Sequence, residues 1–466
     1  MRQPLCRIAI AYALLMFTSG GPLVQAAESP ATVAFIDVNL IAMHRDEVRP
    51  RQTVIVERDR ISAVGPTDLI RVPEGAVRIA GRGRYLMPGL VDMHVHFLRQ
   101  STGSDIDPEY LRVPGYLERN ADFALLYVAN GVTSVRQMHS RPSREDPRLS
   151  RTDREWIGPT LYVTGPITDG DPPDHPMARV VVTPSDAARA VAEDRAAGRI
   201  AVKVYSMLSP SVYDAIIAAA AKEGIDVVGH VPDQVGLARV IASRQATIEH
   251  IVDSFLFELS PRQSTGEESD AELAARYRNA DMKRLAEHAV ALRRAHIWTC
   301  PTIVVTQFDS ADYGKSAEFR YVSPAFTAAL RRYFYTRPFE DELRYALSAV
   351  KTLHEHGAPL LLGSDAFVVV PGFSTVQELE YFVRAGLTPY EALRTGTINA
   401  ASALHAEAEL GTVDVGKRAD LLLLKANPFA DISNIKQRAG VMLRGRWFSD
   451  SELRERLAEV ERRVAQ

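Results

Sequence analysis

Cysteine is nearly absent. The 466 residues contain two, Cys6 and Cys300, and Cys6 falls inside an N-terminal leader. Cys300 alone then remains, so no internal disulfide is expected; a core of this size does not need one. Charge of one sign is missing too: 55 Lys and Arg stand against 58 Asp and Glu, a formal net charge of −3. Without a basic cluster, nucleic acid is not an expected partner. Beyond the N-terminus no run is long and apolar enough for a stable membrane span. Heptads, low-complexity tracts and repeats are absent, which excludes coiled coils and solenoids.

The apolar run that does occur, Ile8 to Phe17, comes after Arg2 and Arg7 and precedes Ser19, Gly20 and Gly21. Val24 and Ala26 have the spacing a signal peptidase reads. Cleavage after Ala26 is expected, and with it export to the periplasm or the medium.

The chain beyond this leader falls into three parts. From residue 27 to 87 short β runs dominate: Val33 to Val38, Val54 to Glu57, Ile61 to Val64 and Val77 to Ala80, with Gly65-Pro66 and Gly81-Arg82-Gly83 as turns. From Pro88 to Ala403 short apolar runs alternate with Ala-rich helical stretches. The candidate strands are Leu90–His96, Thr133–Met138, Thr160–Thr164, Ile200–Tyr205, Asp226–His230, Ala246–His250, Ile297–Val304 and Pro359–Ser364. That is the α/β pattern of a (β/α)8 TIM-like barrel. From residue 404 to 466 β character returns at Gly411–Val413, Ala419–Lys425 and Val441–Leu443, before a helix over Ser451–Ala465. Both ends are expected to join in one small discontinuous β-sandwich domain. An aromatic-rich connection, residues 306 to 340, reads equally as a lid or dimer surface and as an inert packing insertion.

Chemistry-bearing residues gather at the strand ends. His94 and His96 are two apart in a strand, so both face one side, at the end where barrel enzymes build their sites. Alone an HxH is a weak signal. Lys203, however, lies in the apolar run Ala201-Val202-Lys203-Val204, where a charge is costly without a partner. His230, His250 and Asp365 close or follow three further apolar runs. Five strand ends with a metal-competent group are hard to assign to chance. Imidazole and carboxylate suit Zn2+ and similar divalent ions. A deprotonated Lys203 that captured CO2 would offer a carbamate able to bridge two metals. Tyr205 shares the face of Lys203, and His139 and His175 lie in loops on the same side. These three are candidate substrate contacts, against the alternatives of a core tyrosine and solvated loop histidines. Asp92 shares the His94 face but sits deeper, and reads as structural.

The segment Pro88-Gly89-Leu90-Val91-Asp92-Met93-His94-Val95-His96 resembles the opening signature of the amidohydrolase superfamily. Thr397-Ile398-Asn399-Ala400-Ala401 and Gly411-Thr412-Val413-Asp414-Val415-Gly416-Lys417-Arg418-Ala419-Asp420-Leu421 resemble its C-terminal signature. The subgroup most similar is the imidazolonepropionase-related, prolidase-like one, whose strand-8 loop Pro371-Gly372-Phe373-Ser374 fits. This resemblance implies His94 and His96 on the more buried metal and an N6-carboxylated Lys203 bridging two metals. It places His230 and His250 on the second metal, and Asp365 on the first as proton shuttle to a metal-bridged hydroxide. Homo-oligomers are common in the family. Carboxypeptidase-like members carry a Tyr soon after the strand-5 histidine; this chain reads His230-Val231-Pro232-Asp233, which departs from that pattern.

The expected function is hydrolysis of a C–N amide bond in a small-molecule substrate: a dipeptide, an N-acyl amino acid or a cyclic amide. The alternatives are an esterase or lactonase on the same site, a mononuclear deaminase or cyclic amidase, and an inactive binding protein.

Overall fold

A computed structural model describes residues 32–96, 120–139, 157–262, 268–333, 338–366 and 369–465. The leader expected over residues 1–26 lies outside the described residues. No helix among the described residues is long and apolar enough to cross a membrane.

Among the described residues, strands fall into three groups. Leu90–Val95, Val132–Gln137 and Thr160–Val163 form a parallel three-stranded sheet. A second parallel sheet runs in the order Arg179–Val180, Ile167–Asp169, Ala201–Val204, Asp226–Gly229, Thr247–Glu249 and Trp298–Cys300. Main-chain bonds link the two sheets on one side, from Ile200 N–H to the Val163 carbonyl at 3.0 Å and from Gly165 N–H to Ala201 at 2.7 Å. On the other side the segment 359–366 lies between them. Leu360 bridges Thr299 and Ala366 bridges Val95, both parallel, while Met93 N–H donates to Leu362 at 2.8 Å and Asp365 N–H to His94 at 2.7 Å. Because the neighbours are parallel, their C-terminal ends gather on one side. Helices follow the strands, including Pro210–Glu223, Met282–Ala295 and Phe339–Glu355. Strands covered on both faces are buried along their whole length, as Ala201–Val204, Leu90–Val95 and Val132–Gln137 are.

The seventh strand stops at Cys300, four residues short of the expected end. Thr302 takes a left-handed backbone with φ 54°, and a 3₁₀ helix, Ile303–Asp309, begins after it. Its first amides are claimed by the buried Glu378 carboxyl, 2.9 Å from Ile303 N and 2.7 Å from Val304 N, so they cannot continue a ladder. The eighth segment keeps only its two bridges. Ile167–Asp169 and Arg179–Val180 are additional strands within the third connection. Residues Gly411–Val413, expected as a strand, take none; Tyr85–Pro88 and Arg446–Ser449, outside the expected strands, form them.

Both chain ends join in an eight-stranded sheet. Its order is Arg446–Ser449, Arg438–Leu443, Leu421–Leu424, Tyr85–Pro88, Thr32–Leu40, Arg49–Glu57 and Arg60–Pro66, with Val77–Ala80 pairing on Thr32–Leu40. Leu421–Leu424 shows what this sheet does. Successive strand residues face opposite sides: Leu422 and Leu424 pack into the large core around the parallel strands, Leu421 and Leu423 into the smaller core of the sheet. All four are buried. The strand is a wall shared by two cores, which is why four leucines run without a polar interruption.

In the connection after Cys300, the segments Ile303–Asp309, Ala317–Tyr321 and Pro324–Tyr333 are helical. They dock on helix Phe373–Arg384 through Gln307 Nε2 to Tyr381 Oη (3.2 Å), Gln377 Nε2 to Glu318 (2.8 Å) and stacked Tyr321 and Phe373 rings.

Candidate metal centre

His94 and His96 point the same way, as their spacing predicts. Their Nε2 atoms are 3.2 Å apart, and Asp365 Oδ1 lies 3.2 Å from His96 Nε2 and 3.6 Å from His94 Nε2. The ligand atoms of these three residues all fall within 4.8 Å of one another. Lys203 is buried, 1% exposed, and its Nζ sits 3.5 Å from His94 Nε2. His250 Nδ1 is 3.9 Å from Asp365 Oδ2. The His250 ring stands 4.6 Å from that of His94 and 4.8 Å from that of His230, centroid to centroid. All six residues expected from the sequence therefore converge.

Local backbone explains how consecutive strand ends reach one point. His250 and Asp365 both adopt positive φ, 62° and 44°, a region that costs a non-glycine residue strain. Strict alternation would turn His250 away from the face of Glu249; the left-handed step brings it back. Main-chain bonds hold both residues, from His250 N–H to Cys300 at 3.0 Å and from Asp365 N–H to His94 at 2.7 Å. Gly363 permits the approach, since a Cβ there would lie 2.2 Å from Cys300 Sγ and 3.0 Å from His94 Cβ.

Tyr205, His175 and His139 lie on the same side. The Tyr205 ring is 3.9 Å from His230, His175 is 6.0 Å from Tyr205, and His139 is 6.2 Å from His175. Neither loop histidine is simply solvated. His139 is buried and its Nδ1 takes the Ile167 N–H at 3.3 Å; His175 is half-buried and its Nδ1 takes the Met177 N–H at 3.2 Å. Buried Asp169 organises this loop, accepting N–H groups from Gly170 (2.9 Å), Asp174 (2.8 Å) and Met207 (2.6 Å). Nothing in the sequence singles it out.

Asp92 is structural, as its depth on the strand predicts. Its carboxyl accepts from His94 N (3.1 Å), Ser364 N (3.0 Å), Ser364 Oγ (2.6 Å) and Thr375 Oγ1 (2.6 Å). It thereby ties the HxH strand to the segment carrying Asp365. Burial pushes it up to about 6, against those four hydrogen bonds. His288 is half-buried beside Glu258, 3.9 Å away.

The donor set fits divalent metals. Burial above all, aided by neighbouring cationic groups, holds His94 and His230 well below the ordinary histidine range, so both rings are neutral with lone pairs to give. His230 Nδ1 lies 3.3 Å from Ser206 Oγ, while its buried Nε2 has no hydrogen-bond partner among the described residues. A buried imidazole nitrogen left in that state costs free energy unless something binds it. His250 Nδ1 is 3.0 Å from Thr302 Oγ1.

Residues 85–448 match the Amidohydrolase family, and the chain belongs to it. Imidazolonepropionase from Sphingopyxis alaskensis is 39% identical over 82 residues, 16% of this chain and 20% of that protein. Ochratoxinase from Aspergillus niger is 34% identical over 97 residues, 20% of each chain. The matched stretch thus spans only about a fifth of the length of these curated relatives. Among solved structures, a Xaa-Pro dipeptidase with bound methionine in its active site superposes with a TM-score of 0.65 at 21% identity, covering 90% of this chain and 100% of that one. At that identity the likeness speaks for the fold alone.

Proposed function

We propose that this protein is a metal-dependent hydrolase of C–N amide bonds, working on a small molecule at two divalent metals, Zn2+ by donor chemistry. The carrying observation is the convergence of four imidazoles and Asp365 around a buried lysine at one end of the parallel strands. His94, His96 and Asp365 would hold the first metal; His230 and His250 the second. Lys203 suits the bridging place between them as a carbamate, formed when its neutral amine adds to CO2 and releases a proton. A buried ammonium facing imidazoles would be costly. Bound metals would supply Lewis acidity and an activated water.

The chain's own groups then do the rest. Asp365, 3.2 Å from His96 on one oxygen and 3.9 Å from His250 on the other, takes the proton of the attacking water and returns it to the leaving nitrogen. Tyr205, His175 and His139 form the wall that meets the substrate beside His230. In this reading the eight parallel segments close into a (β/α)8 barrel over residues 88–403. Residues 27–87 and 404–466 form the β-sandwich companion, and residues 1–26 are an export leader.

Purified protein, loaded with Zn2+, is to be assayed against dipeptides, N-acyl amino acids, cyclic amides and matched esters and lactones. Turnover of an amide class is the expected result. Ester or lactone turnover without any amide turnover would replace this reading with the esterase alternative.

A further inference from the structure

One buried ion pair lies immediately behind the cluster. Arg136 and Glu249 are 1% and 0% exposed, and Arg136 Nη2 meets Glu249 Oε1 at 2.7 Å. Arg136 also donates Nε to the Met93 carbonyl at 2.7 Å and Nη1 to Thr247 Oγ1 at 3.2 Å; Thr247 Oγ1 in turn donates to Glu249 Oε1. The second oxygen, Glu249 Oε2, lies 2.8 Å from His94 Nδ1. One guanidinium therefore grips the residue before His94 and the carboxylate behind its ring, across three strands.

Stability alone is a poor reason for such a pair. Replacing a buried ion pair by apolar residues of similar volume is often neutral or stabilising. Its geometry has another reading. With one oxygen committed to Arg136 and Thr247, the Glu249 carboxylate accepts at the other, so His94 Nδ1 carries the proton. The lone pair is then on Nε2, the atom 3.2 Å from His96 Nε2 and 3.5 Å from Lys203 Nζ. Hydrogen bonds of this type orient a ligating histidine and raise its basicity.

We propose that Arg136 and Glu249 are positioning residues that set the tautomer and ring orientation of His94, so that its Nε2 lone pair faces the metal cluster. This rests on the reading of the cluster as a metal site. Two double variants of the full chain test it. Glu249→Leu/Arg136→Met replaces the pair by apolar groups and removes the acceptor; Glu249→Gln/Arg136→Met keeps a neutral acceptor near Nδ1. For each, Zn2+ affinity is measured by chelator competition, the Co2+-substituted absorption spectrum is recorded, and the metal-free protein is melted.

The apolar pair should still melt cooperatively without metal, yet bind Zn2+ about 10–100-fold more weakly with an altered Co2+ spectrum. The Gln/Met variant should fall between it and the parent. Parent-like Zn2+ affinity and Co2+ spectrum in both variants, or in the Gln/Met variant if only that one folds, would overturn the proposal. A parent protein whose Zn2+ uptake is absent, or unchanged by His94→Ala, would instead overturn the functional reading beneath it.

Discussion

Glu249 and His250 are consecutive, and a strand should turn them to opposite faces. Both nevertheless serve one cluster: Glu249 from behind His94, His250 from its rim through a left-handed φ of 62°. Asp365 reaches the same point by the same departure. At this scale Asp365→Asn should keep its protein folded while lowering kcat on an amide substrate by about 10²–10⁴-fold, the usual span of a lost acid–base group, as steady-state kinetics would show. Lys203→Ala should bring the metal content down from about two equivalents towards one or fewer, as elemental analysis would show. Content unchanged by the substitution would exclude a bridging role. His94, His96, Lys203 and Tyr205 are legible in the sequence because period-two spacing and strand position agree. Arg136 and Glu249 are not, although a charge inside the expected strand Thr133–Met138 is as costly to bury as Lys203. Spacing along one strand does not reveal a partner on another.

Among the elements, helix Phe373–Arg384 carries the most consequence. From it Thr375 holds Asp92, Glu378 caps the 3₁₀ helix Ile303–Asp309, and Gln377, Tyr381 and Phe373 seat the connection after Cys300. Glu378 is fully buried, and burial pushes its carboxyl up to about 8 from an ordinary value near 4.5. Between those values the folded state holds a proton that the unfolded chain has lost. Stability from this group is therefore present at low pH and falls as pH rises through that window. Melting between pH 5 and 8 should drop by at least about 2 °C more in the parent than in Glu378→Gln. An equal drop in the two would assign the pH dependence elsewhere. The early end of the seventh strand escapes the sequence for the same reason: the group that captures its next amides, Glu378, sits on a distant helix. Leu421–Leu424 makes the complementary case. Its composition marks a strand, but not that two cores share it. Leu422→Ala should cost about 2–5 kcal/mol in denaturant unfolding, and a cost under about 1 kcal/mol would deny that wall its role.

For the whole molecule, the parallel order and the gathering of strand ends are legible from the alternation of apolar and helical runs. The exact partners of the terminal strands are not, because antiparallel pairing between distant segments leaves no local mark. Metal should bind the folded state in preference to the unfolded one, so removal should lower stability by linkage. Prolonged chelator treatment is expected to reduce both activity and melting temperature, and added Zn2+ to restore both. A melting temperature indifferent to metal would mean that no ion binds the folded state in preference to the unfolded one, and would overturn the metal-site reading.

The shared leucine wall has a bearing on how the chain assembles. Tyr85–Pro88 pairs residue by residue with Leu421–Leu424, so one of the earliest strands synthesised waits for one of the last. Until that late strand arrives, the apolar flank of Tyr85–Pro88 is an open edge, the kind of surface that invites aggregation. Closing so long a loop makes the final step slow. This protein should therefore depend on a holding chaperone in the interval between the emergence of its first strands and the arrival of its last.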